Sequence, residues 1–153
     1  LLTRMVSDPA EAEDLALETF YRLHKYRPSQ YETLNVSGWL YKVATNLGLQ
    51  SIRSFKRREH YEIHAGKDAL VETSEDQPQK ILAEKEDRRY VRMALGQMNS
   101  RQAELLIMRY SGMAYKEIAA ALNLSPTSIG PLLLRAEREF EICYRTLVQE
   151  EDR

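Results

Sequence analysis

The chain of 153 residues has one cysteine, six glycines and five prolines. A lone thiol, Cys143, excludes an internal disulfide and fits a reducing cytoplasm. So little glycine and proline supplies too few turns for a many-stranded fold and points to helices. Long apolar runs are missing as well. The longest, such as "LLIM" and "PLLL", are far too short to cross a bilayer, and no segment is flanked like a secretory signal. The opening "LLTRMVSD" lacks an initiator methionine, so a chain trimmed at its N-terminus is expected. There is no glycine-rich phosphate loop, and no Ser/His/Asp set or Cys143–His pairing in the sequence suggests nucleophilic catalysis. "HYEIH" places His60 and His64 four apart, but its glutamate is misplaced for H-E-x-x-H and no third ligand is evident, so no metal or other cofactor is expected. "NVS" and "NLS" are formal glycosylation sequons with no meaning without secretion. The sequence does not read as an enzyme.

A charge of one sign is also lacking, since the net charge is −1. What matters is the distribution. Residues 1–58 hold nine Lys/Arg against six Asp/Glu, residues 59–100 six against nine, and residues 101–153 seven against eight. Within the first part, Lys42, Arg53, Lys56, Arg57 and Arg58 occur with no acid between them, the one concentrated basic patch. With 43% hydrophobic and 29% charged residues, the chain has enough apolar side chains for a core.

"SDPAEAEDLALETFYRLHKYRP" predicts a helix with a defined start. Asp8 is the candidate N-cap, Pro9 suits the first helical position, and Glu11 follows three residues on, as in a capping box. Ala12, Leu15, Ala16, Phe20 and Leu23 recur at helical spacing as an apolar face, while Glu11, Asp14, Glu18 and Arg22 form a second face. Pro28 ends the helix. After the polar loop "SQYETLNVSG", "WLYKVATNLGLQSIRSFKRRE" predicts a second helix, with Leu40, Val43, Ala44 and Leu47 on its apolar face and Lys42, Asn46, Arg53, Lys56 and Arg57 on an increasingly basic one. The pattern fades from Glu59 to Gln79, an acidic stretch that reads as a linker.

The second half restarts with "KILAEKEDRRYVRMALGQM". "SRQAELLIMRYSG" follows as a short helix capped by Ser100 and ended by Gly112. Tyr115, Ile118, Ala119 and Leu122 mark another short helix, Asn123 suits a left-handed turn, and Ser125 and Pro126 open the next helix. Two helices joined by so short a turn make a helix-turn-helix pattern. The fold class is therefore all-α: two small helical domains, 1–58 and 80–150, joined by the linker 59–79.

Both halves resemble one family. "DPAEAEDLALETFYRLHKY" with "WLYKVATNLGLQSIRSFKRR" resembles region two of bacterial extracytoplasmic-function (ECF) sigma factors, and "MNSRQAELLIMRYSGMAYKEIAAALNLSPTSIGPLLLRAERE" resembles their region four. The resemblance runs from about Ser7 to Tyr144, with the family's first helix shortened here to "LLTRMV". It implies a non-catalytic subunit that binds core RNA polymerase and promoter DNA, with an anti-sigma factor as a further partner. The signature around "EDLALETF" implies a polymerase-docking role for Glu11, Asp14, Leu15, Glu18 and Phe20. On pattern alone, this acidic stripe could equally be a solvated face held by a Glu18–Arg22 pair.

The resemblance places the minus-ten promoter element against the loop before Trp39 and the helix after it. Opened DNA requires aromatic or amide groups beside cations. Tyr31, Asn35, Trp39, Lys42 and Asn46 provide that mixture, and Arg53, Lys56, Arg57 and Arg58 provide phosphate contacts. Trp39 fits either a core position at the helix start or a base-stacking one. A sigma-like module that binds partners without reading a promoter, and a dimeric helix-turn-helix regulator, are the alternative functions. The second leaves the acidic stripe and the basic-aromatic helix unexplained.

The stretch "SPTSIGPLLLRAERE", at the position of the minus-thirty-five reading helix, has no Lys or Arg in its first ten residues. Duplex contact falls to Ser125, Thr127, Ser128, Arg135 and Arg138, with Arg101 and Lys116 as phosphate contacts from preceding helices. At least one of Leu132, Leu133 and Leu134 must face outward unless covered by the first domain or an anti-sigma partner. Pro131 removes a backbone hydrogen bond and crowds the preceding turn, which costs about 3 kcal/mol. A helix kinked at Gly130, or restarted at Pro131 with Ser128 as cap, is expected. Pro131→Thr should therefore raise the melting temperature, and a superimposable melt would show that the helix accommodates proline without penalty.

Overall fold

A computed structural model describes residues 1–6, 8–26, 35–64 and 78–151. Seven helices occur among them, with no strand: α1 (Leu2–Met5), α2 (Pro9–Lys25), α3 (Val36–His64), α4 (Pro78–Gln97), α5 (Ser100–Tyr110), α6 (Tyr115–Leu122) and α7 (Pro126–Glu151). The architecture is the expected all-α pair of helical domains. α1 and α2 pack on α3, while α4, α5 and α6 pack with α7. The core includes Leu2, Met5, Ala12 and Ala44 from the first group, and Leu105, Met108, Ile118, Ile129, Leu133 and Ala136 from the second.

Local chemistry explains the boundaries. Asp8 caps α2 by accepting a hydrogen bond from the Ala10 amide at 2.9 Å. The capping box expected there is not formed. Glu11 instead accepts a hydrogen bond from the Ser51 hydroxyl of α3, so its carboxylate ties two helices together. α2 ends at Lys25, before Pro28, and buries Ala12 and Thr19. Phe20, expected on the apolar face, stands 60% exposed. One position along, Thr19 takes the inward place because its hydroxyl bonds back to the Leu15 carbonyl at 2.7 Å.

Asn99, not Ser100, caps α5, with its side chain accepting from the Arg101 amide at 3.0 Å. Beyond α5, Gly112 sits at φ +95°, a conformation that favours glycine. Asn123 takes the left-handed conformation expected of it, at φ 54° and ψ 50°, and the Leu124 amide closes the turn onto the Ala119 carbonyl at 2.8 Å. α7 starts at Pro126 and continues through Pro131, without the restart expected from the sequence. Ile129, Leu133 and Ala136 are buried on one side of it, so packing holds the first turn in place despite the lost hydrogen bond. Leu133 thus points inward and Leu132 packs partly against the core, leaving Leu134 as the outward leucine, 50% exposed.

α3 is longer at both ends than its sequence pattern. It starts three residues before Trp39 and runs to His64, into the stretch read as linker; α4 begins at Pro78. It packs against α2 on one side and against α4, α5 and α6 on the other. Ala44, Thr45, Leu47, Leu49, Ser51 and Ile52 are consequently all buried, a run that no single apolar stripe would produce. The Thr45 hydroxyl is buried with no hydrogen-bond partner among the described residues. A buried, unsatisfied hydroxyl costs on the order of 1 kcal/mol or more. Thr45→Val, similar in shape, should raise the urea midpoint of unfolding; a lower midpoint would mean that the hydroxyl has a partner.

Candidate functional site

α3 carries the residues expected to meet nucleic acid. Trp39, Lys42, Asn46, Leu49 and Arg53 recur at three and four and share one face of the helix. Lys42 is exposed, whereas Trp39 and Asn46 are partly buried. Trp39 stacks on Tyr26, the C-cap residue of α2, with ring centroids 5.5 Å apart and planes 30° apart. Tyr26 remains 47% exposed, so the pair offers an aromatic surface beside Lys42. The sequence reading missed Tyr26; its signal was an aromatic in the basic stretch "HKYRP" that ends α2.

Asn35 has a local task. Its side-chain oxygen accepts from the Gly38 amide at 3.0 Å, in the manner of an N-cap for α3. Tyr31 lies outside the described residues. Lys56, Arg57 and Arg58 continue α3, with side chains outside the description.

Arg53 points to the second domain. Its guanidinium donates to the carbonyls of Gly96 at 3.2 Å and Met98 at 3.1 Å, and to the Ser100 hydroxyl at 2.9 Å. These acceptors lie where α4 ends and α5 begins, and the negative end of the α4 dipole favours a cation there. Close by, Glu104 of α5 is buried against the same face. Burial raises the pKa of its carboxyl above the ordinary 4.5, opposed by the charges of Lys42, Arg101 and Arg53 and by a hydrogen bond from Asn46. Three α3 residues proposed for nucleic acid thus act electrostatically on one carboxyl of the other domain.

The α2 face expected to dock on polymerase is divided. Asp14 is exposed, and Glu18 is paired with Arg22 at 2.7 Å. Leu15 packs partly against the core, and Glu11 is engaged by Ser51. Phe20 is outward, together with Leu17 at 68% and Tyr21 at 52% exposure. Positions 17, 20 and 21 are neighbours on a helix surface, so they form one apolar patch beside Asp14 and Glu18. Leu17 and Tyr21 were missed from sequence, although both stand off the core spacing.

In the helix-turn-helix, Lys116, Ser125, Thr127, Arg135 and Arg138 are exposed, and Ser128 is partly buried. The Ser125 and Thr127 hydroxyls are 2.8 Å apart at the start of α7. Arg101 is exposed at the start of α5, on the side of Glu104.

This pairing of a basic-aromatic helix with a helix-turn-helix matches two family models. Residues 1–59 match sigma-70 region 2, and residues 88–140 match sigma-70 region 4. Together they span more than two thirds of the chain. The chain is similar to the ECF RNA polymerase sigma factor SigM of Bacillus subtilis (26% identical over 151 residues, covering 98% of this chain and 90% of that protein). It is similar also to the RNA polymerase sigma factor CarQ of Myxococcus xanthus (27% over 141 residues, 92% and 76%). The fold resembles the sigma factor RpoE of Bartonella quintana, solved in complex with the anti-sigma factor NepR, with a TM-score of 0.50 and 21% identity over 94% of this chain and 87% of that one. The chain belongs to the sigma-70 family of transcription initiation factors, and within it to the ECF sigma factors.

Because the folded state raises the Glu104 pKa, it holds that proton more tightly than the unfolded chain does. Its contribution to stability is fully present below the ordinary value of 4.5 and is lost as pH rises through the raised value. Glu104→Gln should therefore stabilise the protein at neutral pH and remove this part of the pH dependence. Urea unfolding of both proteins from mildly acidic to neutral pH measures it. A glutamine variant less stable at neutral pH would show that the attraction of Lys42, Arg101 and Arg53 outweighs the burial cost.

Proposed function

We propose that the first domain makes the principal contacts of this sigma factor with opened promoter DNA, through Trp39, Lys42, Asn46 and Arg53 of α3 and the adjoining Asn35 and Tyr31. Lys56, Arg57 and Arg58 extend these contacts along the phosphate backbone. The observation that carries this reading is the Trp39–Tyr26 stack beside Lys42, an exposed aromatic surface next to a cation within the region 2 match. Tyr26 joins the set on that ground.

The division into domains 1–58 and 80–150 with a linker at 59–79 belongs to the same reading, as does a non-enzymatic role in the cytoplasm. Asp14, Glu18 and Phe20, with Leu17 and Tyr21, form the surface for core polymerase; its apolar patch supplies buried area and its acids supply orientation. Leu15 and Glu11 support that surface from below. The second domain approaches the minus-thirty-five duplex with Ser125, Thr127, Ser128, Arg135 and Arg138, and with Arg101 and Lys116 on phosphates. An anti-sigma factor is a proposed regulatory partner, as the solved relative's complex suggests.

Reconstitution with core polymerase tests the reading. The expected result is core binding and transcription from a subset of candidate promoters. Failure to bind core would refute it, and core binding without promoter-specific transcripts would leave only a partner-binding module. Lys42→Ala should weaken binding to single-stranded DNA and reduce the salt slope by about 0.7. A slope identical to that of the unaltered protein would remove Lys42 from the contact set.

A further inference from the structure

We infer that the second domain reads thymine: the outward stripe of α7, centred on Pro131 and Leu134, packs against the 5-methyl groups of A·T pairs in the major groove of the promoter duplex. The inference rests on the duplex-reading role proposed above for this helix, and it names what the helix reads there.

Thr127, Pro131, Leu134 and Arg138 recur at four, three and four, so they share one face of α7. All four are exposed, Leu134 to 50%, on the side opposite the buried Ile129, Leu133 and Ala136. That is the side a groove would meet. Thr127 and Leu134 are seven residues apart, about 10 Å of helix, enough to run past about three base pairs. Hydrogen bonds to base edges normally come from Arg, Lys, Asn or Gln, and none of these occurs from Pro126 to Leu134. The hydroxyls at the helix start are partly occupied, since Ser125 and Thr127 hydrogen-bond to each other at 2.8 Å. What the middle of the stripe offers instead is hydrocarbon, the Pro131 ring and the Leu134 methyl groups. The matching group on a base pair is the thymine methyl, which stands in the major groove.

Charge favours a duplex over a protein as the occupant. Arg135 and Arg138 follow the stripe on α7 and Lys116 stands at the start of α6, all three exposed. No acidic residue occurs from Ile118 to Ala136, so nothing along the helix-turn-helix repels phosphates. Tyr115, 43% exposed, extends the apolar surface sideways: a Cβ built on Gly130 would lie 3.8 Å from its ring.

The test uses the full chain reconstituted with core polymerase, and promoter duplexes selected for binding from a library randomised in the upstream element. The selected elements should contain thymine. Replacing such a thymine by uracil deletes the methyl and leaves every hydrogen-bonding group in place. Each contacted thymine should then cost about fourfold in affinity, the effect of one buried methyl group. Leu134→Ala and Leu134→Gln should each bring this thymine-to-uracil ratio close to one at the position that Leu134 covers. A merely structural role for Leu134 would leave the ratio unchanged. Circular dichroism confirms that each variant is folded, and two variants guard against one that is not.

Three results would overturn methyl reading while the duplex-reading role survives: selected elements without thymine, equal affinity for the thymine and uracil duplexes, or a ratio that neither folded variant alters. Each would leave the stripe to a protein partner. If the library yields no preferred upstream element, the duplex-reading role fails, and the inference falls with it.

Discussion

Helix α3 is buried along two sides at once, and the arrangement of both domains follows from that. Most helices of a small domain bury one stripe and show the other to water. Here Ala44 lies in the shared core with α1 and α2, whereas Leu49 is only 1% exposed on a face that carries Lys42, Asn46 and Arg53. Covering a leucine so completely contributes about 1.5–3 kcal/mol, comparable with a substantial part of a small domain's net stability. The α3 interface with the second domain is therefore a structural element in its own right. Gly38 and Gly96 sit where side chains would hold the helices apart, which is the close-approach use of glycine.

Electrostatics at this interface pull in two directions. Arg53 sits at the C-terminal end of α4, where helix carbonyls left without amide partners attract it. Glu104 lies among three cations and an amide donor, yet the loss of water around its carboxyl outweighs them and raises its pKa. The interface thus combines one favourably placed, partly buried cation with one poorly solvated acid. A fully apolar replacement of similar shape would bind its neighbour more firmly.

Much of this was legible in the sequence, and the exceptions share a cause. The helix-turn-helix, the Asn123 turn, the Asp8 cap and the basic run after Trp39 depend on neighbours within a few positions. Local patterns report those well. The sequence did not reveal that Glu11 would leave its capping box for Ser51, forty positions away, or that Arg53 would reach Gly96, Met98 and Ser100. These are choices between two satisfactory partners, made by tertiary distance alone. Phe20 failed differently: its spacing fits the α2 core stripe as well as Thr19 does, and only the Thr19–Leu15 hydrogen bond and the packing on α3 distinguish them. Leu49 was overlooked because a leucine in a polar stripe reads as a solvated position, and its burial is set by tertiary packing.

The helix-turn-helix divides its labour in a similar way. Ile129, Leu133 and Ala136 commit the inner side of α7 to packing, and that commitment carries the helix through Pro131. The outer side then has two hydroxyls at its start, Leu134 in the middle and cations only from Arg135 onward. A duplex laid on such a surface would meet charge late and donors to base edges hardly at all. The first domain has the opposite distribution, with the cations of its basic run falling along one helix that begins in an aromatic stack. On the proposed reading, α3 of the first domain rather than α7 of the second would supply most of the charge-driven contact with promoter DNA.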